Sequence, residues 1–394
     1  MKLSTVAVIR LHNQQITRRR FLNPADVVAS MGAMQGQDHH GSKWAIGLRM
    51  LRGQDFVIDQ AIADRTLVRT YLMRGKLHVA TAKDSRWLLS LTAPRMIAAS
   101  DRRERQLDLD EGVFARVRRI FSLALEGGRQ LTRSELYALL EEARISSKGQ
   151  RGHHILWRMA MEGLICFASP EGIQQTFALS DEWIPEGVRR SREQALADLA
   201  LRYFSSRGPA TLQDFLWWSG LTSAEATAAL DMVKPKLVAA NLGGQCFWMS
   251  TSTQIPPSGG EDVYLLPSFD EFLLGYQNRN ATLESRYAAV LSPGGDGTFL
   301  PAVVIQGSVV GTWSRILRNG ALEIRATTFR SLTSKESSLL REAAHRYGEF
   351  MRMEVDLLEE ATLPPGDLAR SATRLQVPWE RSATEPRRPL EKLG

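Results

Sequence analysis

The stretch MQGQDHH, Met34 to His40, sets two uncharged amides, Gln35 and Gln37, two residues apart beside Asp38, His39 and His40. An amide can orient water or steady a developing positive charge through its carbonyl dipole, but it is too weak a base to deprotonate water well. On a helix, residues two apart point in nearly opposite directions; in an extended segment they share a face. If the pair acts together, the segment must be extended. Gly36 between them lets the backbone approach something closely. The plainer alternative is that both amides tie down a tight turn between helices. Adjacent histidines on a strand point opposite ways, so His39-His40 and His153-His154 offer no preformed chelate, and neither a metal nor another cofactor is expected.

The flanking sequence supplies the elements that would hold this segment. NPADVVASMGAM has Asn23 as a helix cap, Pro24 in the first helical position and Asp26 in the first turn. SKWAIGLRML reads as a second helix that can start at Ser42, and IDQAIADRTLV as a third. RTYLMRGKLHVATAKD then reads as two short strands around Arg74-Gly75, with Leu77 and Val79 alternating with Lys76 and His78. Helix, short link, helix, hairpin is the order of a winged helix-turn-helix unit.

That order returns twice. LTRSELYALLEEARIS, RGHHILWRMAMEGLI and the strand-like pieces of CFASPEGIQQTFALSDEW form a second copy. GPATLQDFLWWSGLT and LTSAEATAAL, with Thr222 or Ser223 as cap and Glu225 in the first turn, belong to a third. The copies share pattern rather than identity. TSTQIPPSGGEDV marks a boundary. Beyond it VYLLPSFDEFLLGY, TFLPAVVIQGSVVGTWSRI and ALEIRATTF read as strands, and LTSKESSLLREAAHRYGEFM as a terminal amphipathic helix. The expected class is α+β: three tandem winged-helix units over 1–125, 126–190 and 191–252, a β-rich portion with a terminal helix over 261–360, and a loose polar tail over 361–394.

With 394 residues, several packed units are expected. The formal net charge of +7 and a pI near 9.6 favour a polyanionic partner. Cys166 and Cys246, each alone in an apolar stretch, read as small buried hydrophobes and exclude a disulfide framework. No apolar run is long enough to span a membrane, and Arg10 interrupts the short apolar start, so a cytoplasmic protein without a membrane partner is expected. There is no GxxxxGK[ST] loop, no HExxH helix and no GxSxG elbow, and glycine-rich PGGDGTF reads as a hairpin turn. Nucleotide hydrolysis and zinc proteolysis are therefore set aside. The runs Arg18, Arg19, Arg20 and Arg102, Arg103, Arg105 fit phosphate contacts beside helix-turn-helix units; Arg18, Arg19, Arg20, Lys43 and Lys76 are the DNA-contact candidates.

MGAMQGQDHHGSKWAIGLRM, RTYLMRGKLHVATAKD and the later LLPSFDEFLLGYQNR, taken together and in order from about residue 5 to about residue 355, resemble the winged-helix DNA glycosylases of the AlkZ type. The family acts on bulky alkylated purines and unhooks interstrand crosslinks. Its Gln-x-Gln or Gln-x-Asp motif carries catalysis, so the resemblance implies Gln35 and Gln37 as the catalytic pair. It also implies a concave DNA surface built by the three units, with the motif on its inner face and a hairpin reaching the duplex. Gly36 stands where the family usually has an apolar residue.

Neutral amides suit that chemistry. Alkylation at N7 of guanine or N3 of adenine leaves the base cationic, so it departs without a general acid. What remains is to stabilise an oxocarbenium-like sugar and hold water at its opposite face. Gln37 is assigned to water, and Gln35 to water or to the sugar cation. Asp38, His39, Arg74, His78 and Asp270 are secondary candidates; the side chain of Asp38 is expected to point away from the glutamine face. The expected enzyme is a monofunctional glycosylase, a monomer near the nucleoid acting on duplex DNA with alkylated purines, in general repair or in self-resistance to an alkylating agent. The alternatives are a non-catalytic winged-helix regulator, which would prefer palindromic sites, and a protein-binding scaffold.

Overall fold

The computed structural model describes residues 2–360 except 173, 255, 257–261, 295–297 and 319. The tail 361–394, part of the boundary segment and the centre of PGGDGTF lie outside the described residues.

The chain opens with helices α1 (Leu3–Asn13) and α2 (Pro24–Met31), the latter capped as expected by Asn23, whose side chain accepts from the Ala25 amide. A two-residue strand β1 (Met34–Gln35) leads to α3 (His39–Leu48) and α4 (Asp55–Ala63). Strands β2 (Leu67–Tyr71) and β3 (Leu77–Thr81) form the expected hairpin around Arg74-Gly75. Helix α3 begins three residues before Ser42, so His39 and His40 occupy its first turn rather than a strand.

Two long helices then follow, α5 (Ala82–Gln106) and α6 (Glu111–Leu125). Next come β4 (Leu131–Thr132), α7 (Arg133–Glu142), α8 (Arg151–Met161), β5 (Ile165–Phe167), β6 (Thr176–Leu179) and the short α9 (Ser180–Trp183). Helices α10 (Arg192–Arg207), α11 (Leu212–Ser219) and α12 (Ser223–Val233) precede the hairpin β7 (Leu237–Leu242) and β8 (Gln245–Ser250). Thr222 is the cap of α12, and it exchanges bonds with Glu225 in a capping box.

The last third holds β9 (Val263–Leu266), α13 (Glu271–Leu274), α14 (Ala288–Leu291), β10 (Ala302–Ile305), β11 (Ser308–Arg318), β12 (Ala321–Thr328), α15 (Ser334–Met351) and β13 (Val355–Glu360). VYLLPSFDEFLLGY is thus not one strand. It is a strand followed by a short helix, because Asp270 accepts from the Phe272 amide and caps α13.

One six-stranded sheet has the order β1-β3-β2-β5-β6-β4, so strands from 1–125 and 126–190 share a single ladder. A five-stranded sheet, β13-β12-β11-β10-β9, is antiparallel except for the β12/β13 pair. One apolar core joins α2, α3 and α4 to this second sheet and α15; Trp44 on α3 donates its indole proton to the Leu265 carbonyl of β9. Another joins α5 to α10, α11 and α12, and a third lies among α6, α7, α8, β5 and β6.

Among the described residues, three buried ion pairs join distant parts of the chain: Arg10 with Asp214, Arg49 with Asp270 and Arg207 with Glu271. Desolvating such pairs is costly, and further bonds to neighbouring oxygens offset part of that cost. Arg49, for example, grips both Asp270 oxygens and also reaches the Ala45 carbonyl and the Gln14 amide oxygen. The first pair ties α1 to α11, the second ties the end of α3 to the start of α13, and the third ties α10 to α13, where Glu271 also meets Gln35.

Candidate functional site

Gln35 lies on β1 directly opposite His78 of β3, and residues in such register place their side chains side by side. Its amide Nε2 is 3.2 Å from His78 Nε2, while His78 Nδ1 is 2.8 Å from the Lys76 carbonyl oxygen. Its backbone N–H donates to Glu271 Oε1 at 2.9 Å. Glu271 Oε2 in turn accepts from Arg207 and from the Trp218 indole. Gln35, His78 and Glu271 are all buried, and Gln35 Oε1 has no hydrogen-bond partner among the described residues.

Burial opposes ionisation of Glu271, yet Arg207, His78 and Arg74 hold its pKa below the ordinary glutamate value. Burial pushes the His78 pKa down to about 4; Arg74 and Arg207 act in the same sense, while Glu271 and the bond to Lys76 oppose them. At neutral pH the trio is therefore a neutral imidazole beside a carboxylate that an arginine balances.

Gly36 continues the pairing by donating its N–H to the Leu77 carbonyl at 2.8 Å. A Cβ at this position would lie 3.1 Å from the His78 carbonyl carbon and 3.3 Å from its Cα. The neighbour that glycine admits is thus the backbone of β3. Arg69 on β2 donates Nε to the Gly36 carbonyl at 2.9 Å, and its Nη1 donates to Gln175. Its guanidinium stands 4.9 Å from the Phe167 ring centre. Burial lowers the Arg69 pKa to about 10, which leaves it a cation at neutral pH.

Past Gly36 the segment turns outward. Gln37 is exposed. The two amides therefore differ in access, one at the surface and one covered. Asp38 stands at the N-cap position of α3 without a side-chain cap bond; its Oδ2 folds back over Gly41, into the space a Cβ there would take. The carboxylate thus turns onto the start of α3, where only a glycine leaves room. Burial, with Arg69, Lys43 and His40 nearby, lowers the His39 pKa to about 3, so this ring is neutral at pH 7. Arg315 on β11 interacts electrostatically with Asp38 and lies 5.3 Å from the Tyr347 ring centre. The arrangement can position a neutral molecule or face a cation through amide dipoles, but among the described residues it places no free base of suitable strength at Gln35.

A sequence model of the DNA glycosylase AlkZ-like family matches residues 28–350. The chain belongs to this family. The interstrand DNA cross-link repair glycosylase of Streptomyces sahachiroi is 26% identical over 330 residues, which are 75% of this chain and 85% of that protein. The solved structure of the Streptomyces sahachiroi DNA glycosylase AlkZ is 20% identical, with a TM-score of 0.75, covering 91% of this chain and 100% of that one. The likeness establishes a shared mixed α+β fold. The family match includes both Gln35 and Gln37.

Other expected residues are more dispersed. Asp270 is held by Arg49 and caps α13, which is a structural task. The residue beside it, Glu271, is the one that bonds to Gln35. Lys43 is buried, its ammonium 2.8 Å from both Asp55 and Asp59, and this corrects its expected place on a DNA surface. Arg74, in the left-handed region at φ 57°, turns its guanidinium to 5.3 Å from the Trp217 ring centre. The β2–β3 tip is closed further by the Trp157 indole, which donates to the Gly75 carbonyl, so this hairpin is packed into the protein.

Lys76 is exposed at the start of β3. Arg18 and Arg20 are exposed, with Arg18 bonded to Gln254 and Arg20 over Phe21, while Arg19 is half-buried near Arg346. None of the three is bonded to the glutamine segment. Cys166 is buried as expected, but Cys246 is exposed on a hairpin with little covering it. Glu271, Arg69 and Arg315 were not among the expected site residues. Only the position of Glu271 within LLPSFDEFLLGYQNR signalled it.

Proposed function

We propose that the protein hydrolyses the N-glycosidic bond of cationic alkylated purines in duplex DNA, N7-alkylguanine and N3-alkyladenine among them, and unhooks interstrand crosslinks made through such bases. The observation that carries this reading is the Gln35-Gly36-Gln37 segment of an AlkZ-like chain, locked at one end by Glu271, His78 and Arg69 and open at the other.

In the proposed reaction the C1′–N9 bond of an N7-alkylguanine breaks first, its electron pair neutralising the cationic base. The positive charge passes to the sugar. Gln37, at the exposed end, holds water by its carbonyl and directs the oxygen to C1′; the water proton leaves after the C1′–O bond has formed and passes to bulk solvent, so a weak acceptor suffices. Gln35 faces the sugar cation or the same water with its carbonyl dipole once DNA opens the cover over Oε1, in keeping with catalytic contacts that tighten only in the substrate complex. Asp38 adds negative charge nearby without bonding to the water.

The tandem helix, helix, hairpin orders support three winged-helix units at 1–125, 126–190 and 191–252, followed by the β-rich portion at 261–360. Together they frame a concave surface for DNA. The net positive charge, the exposed Arg18, Arg20 and Lys76, and the half-buried Arg19 support phosphate contacts. The exposed β7–β8 hairpin, turning at Gly243-Gly244, is the better candidate to reach a duplex than the packed β2–β3 pair. A crosslinked base cannot be flipped freely, and an open surface avoids that obstacle. The protein would act as a cytoplasmic, nucleoid-associated monomer; no described helix is long and apolar enough to cross a membrane.

The test is release of 7-methylguanine from methylated duplex DNA together with unhooking of a nitrogen-mustard crosslink. Release of either supports the reading. Absence of both, with preference for one palindromic sequence over other duplexes, would instead establish a regulator.

A further inference from the structure

We propose that His78 is a positioning residue that fixes the amide orientation of Gln35, drawing Nε2 inward and leaving the carbonyl Oε1 as the atom offered to the reacting centre. The purpose of this arrangement rests on the glycosylase reading; the orientation itself does not.

The Lys76 carbonyl can only accept a hydrogen bond. Lying 2.8 Å from it, His78 Nδ1 must carry the ring proton. A neutral imidazole has one N–H, so Nε2 is left with a lone pair, and the alternative tautomer would set that lone pair against a carbonyl oxygen. Burial keeps the ring neutral, with a pKa of about 4. The group facing Nε2 at 3.2 Å is the Gln35 side chain, and only its NH2 can donate.

One amide hydrogen bond therefore selects one of two otherwise equivalent amide rotamers. Oε1 is turned the other way, buried and without a partner among the described residues. The backbone cannot rotate to relieve this, because the Gln35 N–H is committed to Glu271 and the next residue is tied to Leu77 and Arg69. A buried acceptor left unmatched in this way is satisfied when a donor such as a water O–H arrives with the substrate.

Two measurements on the full chain test the proposal. With 15N-labelled histidine, NMR at pH 7, assigned by difference from His78→Gln, should show His78 as a neutral ring protonated at Nδ1. A ring protonated at Nε2, or an imidazolium, overturns it. Single-turnover release of 7-methylguanine should fall about 100-fold in His78→Phe, the scale expected when a catalytic group loses its orientation. His78→Gln, which restores an acceptor near the same place, should recover about tenfold or more of that loss, with DNA affinity equal in all three. Equal losses in both variants, or full activity in His78→Phe, overturns the proposal. If the wild-type protein releases no base, the glycosylase reading fails, and the NMR result still decides the orientation of Gln35.

Discussion

The two ends of a three-residue segment, Gln35 and Gln37, have opposite surroundings. Gln35 is packed under β3 and α13, bonded through both backbone and side chain, with Arg207 and Trp218 holding the carboxylate behind it. Gln37 is exposed. Chemically equal amides thus sit in different environments, and the proposed reaction gives them different tasks, as environment does for paired carboxylates in other hydrolases. The buried end should couple function to stability, whereas the open end should affect function alone.

The largest expected effect is at the foundation of the buried end. Glu271→Ala leaves Arg207 an uncompensated buried cation, and removing one partner of such a pair costs about 3–5 kcal/mol. Urea unfolding should show a clearly lowered midpoint with an unchanged slope. A wild-type midpoint would erase the contrast between the two ends.

The next effect is on acid sensitivity. His78 is neutral when folded, with a pKa of about 4, whereas an unfolded histidine titrates near 6.5. The unfolded chain therefore binds more protons between these values, and stability falls as pH drops from about 6.5 towards about 4. His39, with a pKa of about 3, acts in the same direction, as do His12, His40, His153 and His154, whose pKa values are also lowered. His78→Gln should flatten part of this dependence in urea midpoints measured from pH 7 to pH 5. An identical slope would mean that His78 titrates normally in the fold.

A smaller effect is expected at the exposed arginines. Arg18→Ala and Arg20→Ala should change stability by less than about 0.5 kcal/mol. Each should reduce the magnitude of the salt slope of duplex binding by about 0.9, provided that it contacts a phosphate. No change in slope would remove these two residues from the DNA surface.

Local signals in the sequence were legible where the structure they specify is also local. The Asn23 cap, the turn at Arg74-Gly75 and the Thr222–Glu225 box each involve neighbours a few residues apart. Gly36 could be read as a point of close approach, although not which strand approached. What escaped depends on distant partners. Asp270 and Glu271 are adjacent acids, and only the fold, which brings Arg49 to one and Arg207 with Gln35 to the other, separates a structural carboxylate from one at the site. Lys43 looked like a surface cation until α4 supplied Asp55 and Asp59. Cys246 sat in an apolar run, but its strand belongs to a two-stranded hairpin that covers little. The β12/β13 pairing is parallel across the intervening helix α15, which no turn residue announces.

The most direct test of the account is Gln37→Ala under single-turnover conditions with protein in excess over methylated duplex, alongside its DNA dissociation constant and urea midpoint. Release of 7-methylguanine should fall about 100-fold or more, the scale of losing one preorganised dipole at a developing charge, with affinity and stability both at wild-type values. Release at the wild-type rate would contradict it and leave the exposed amide as a surface residue without a part in the chemistry.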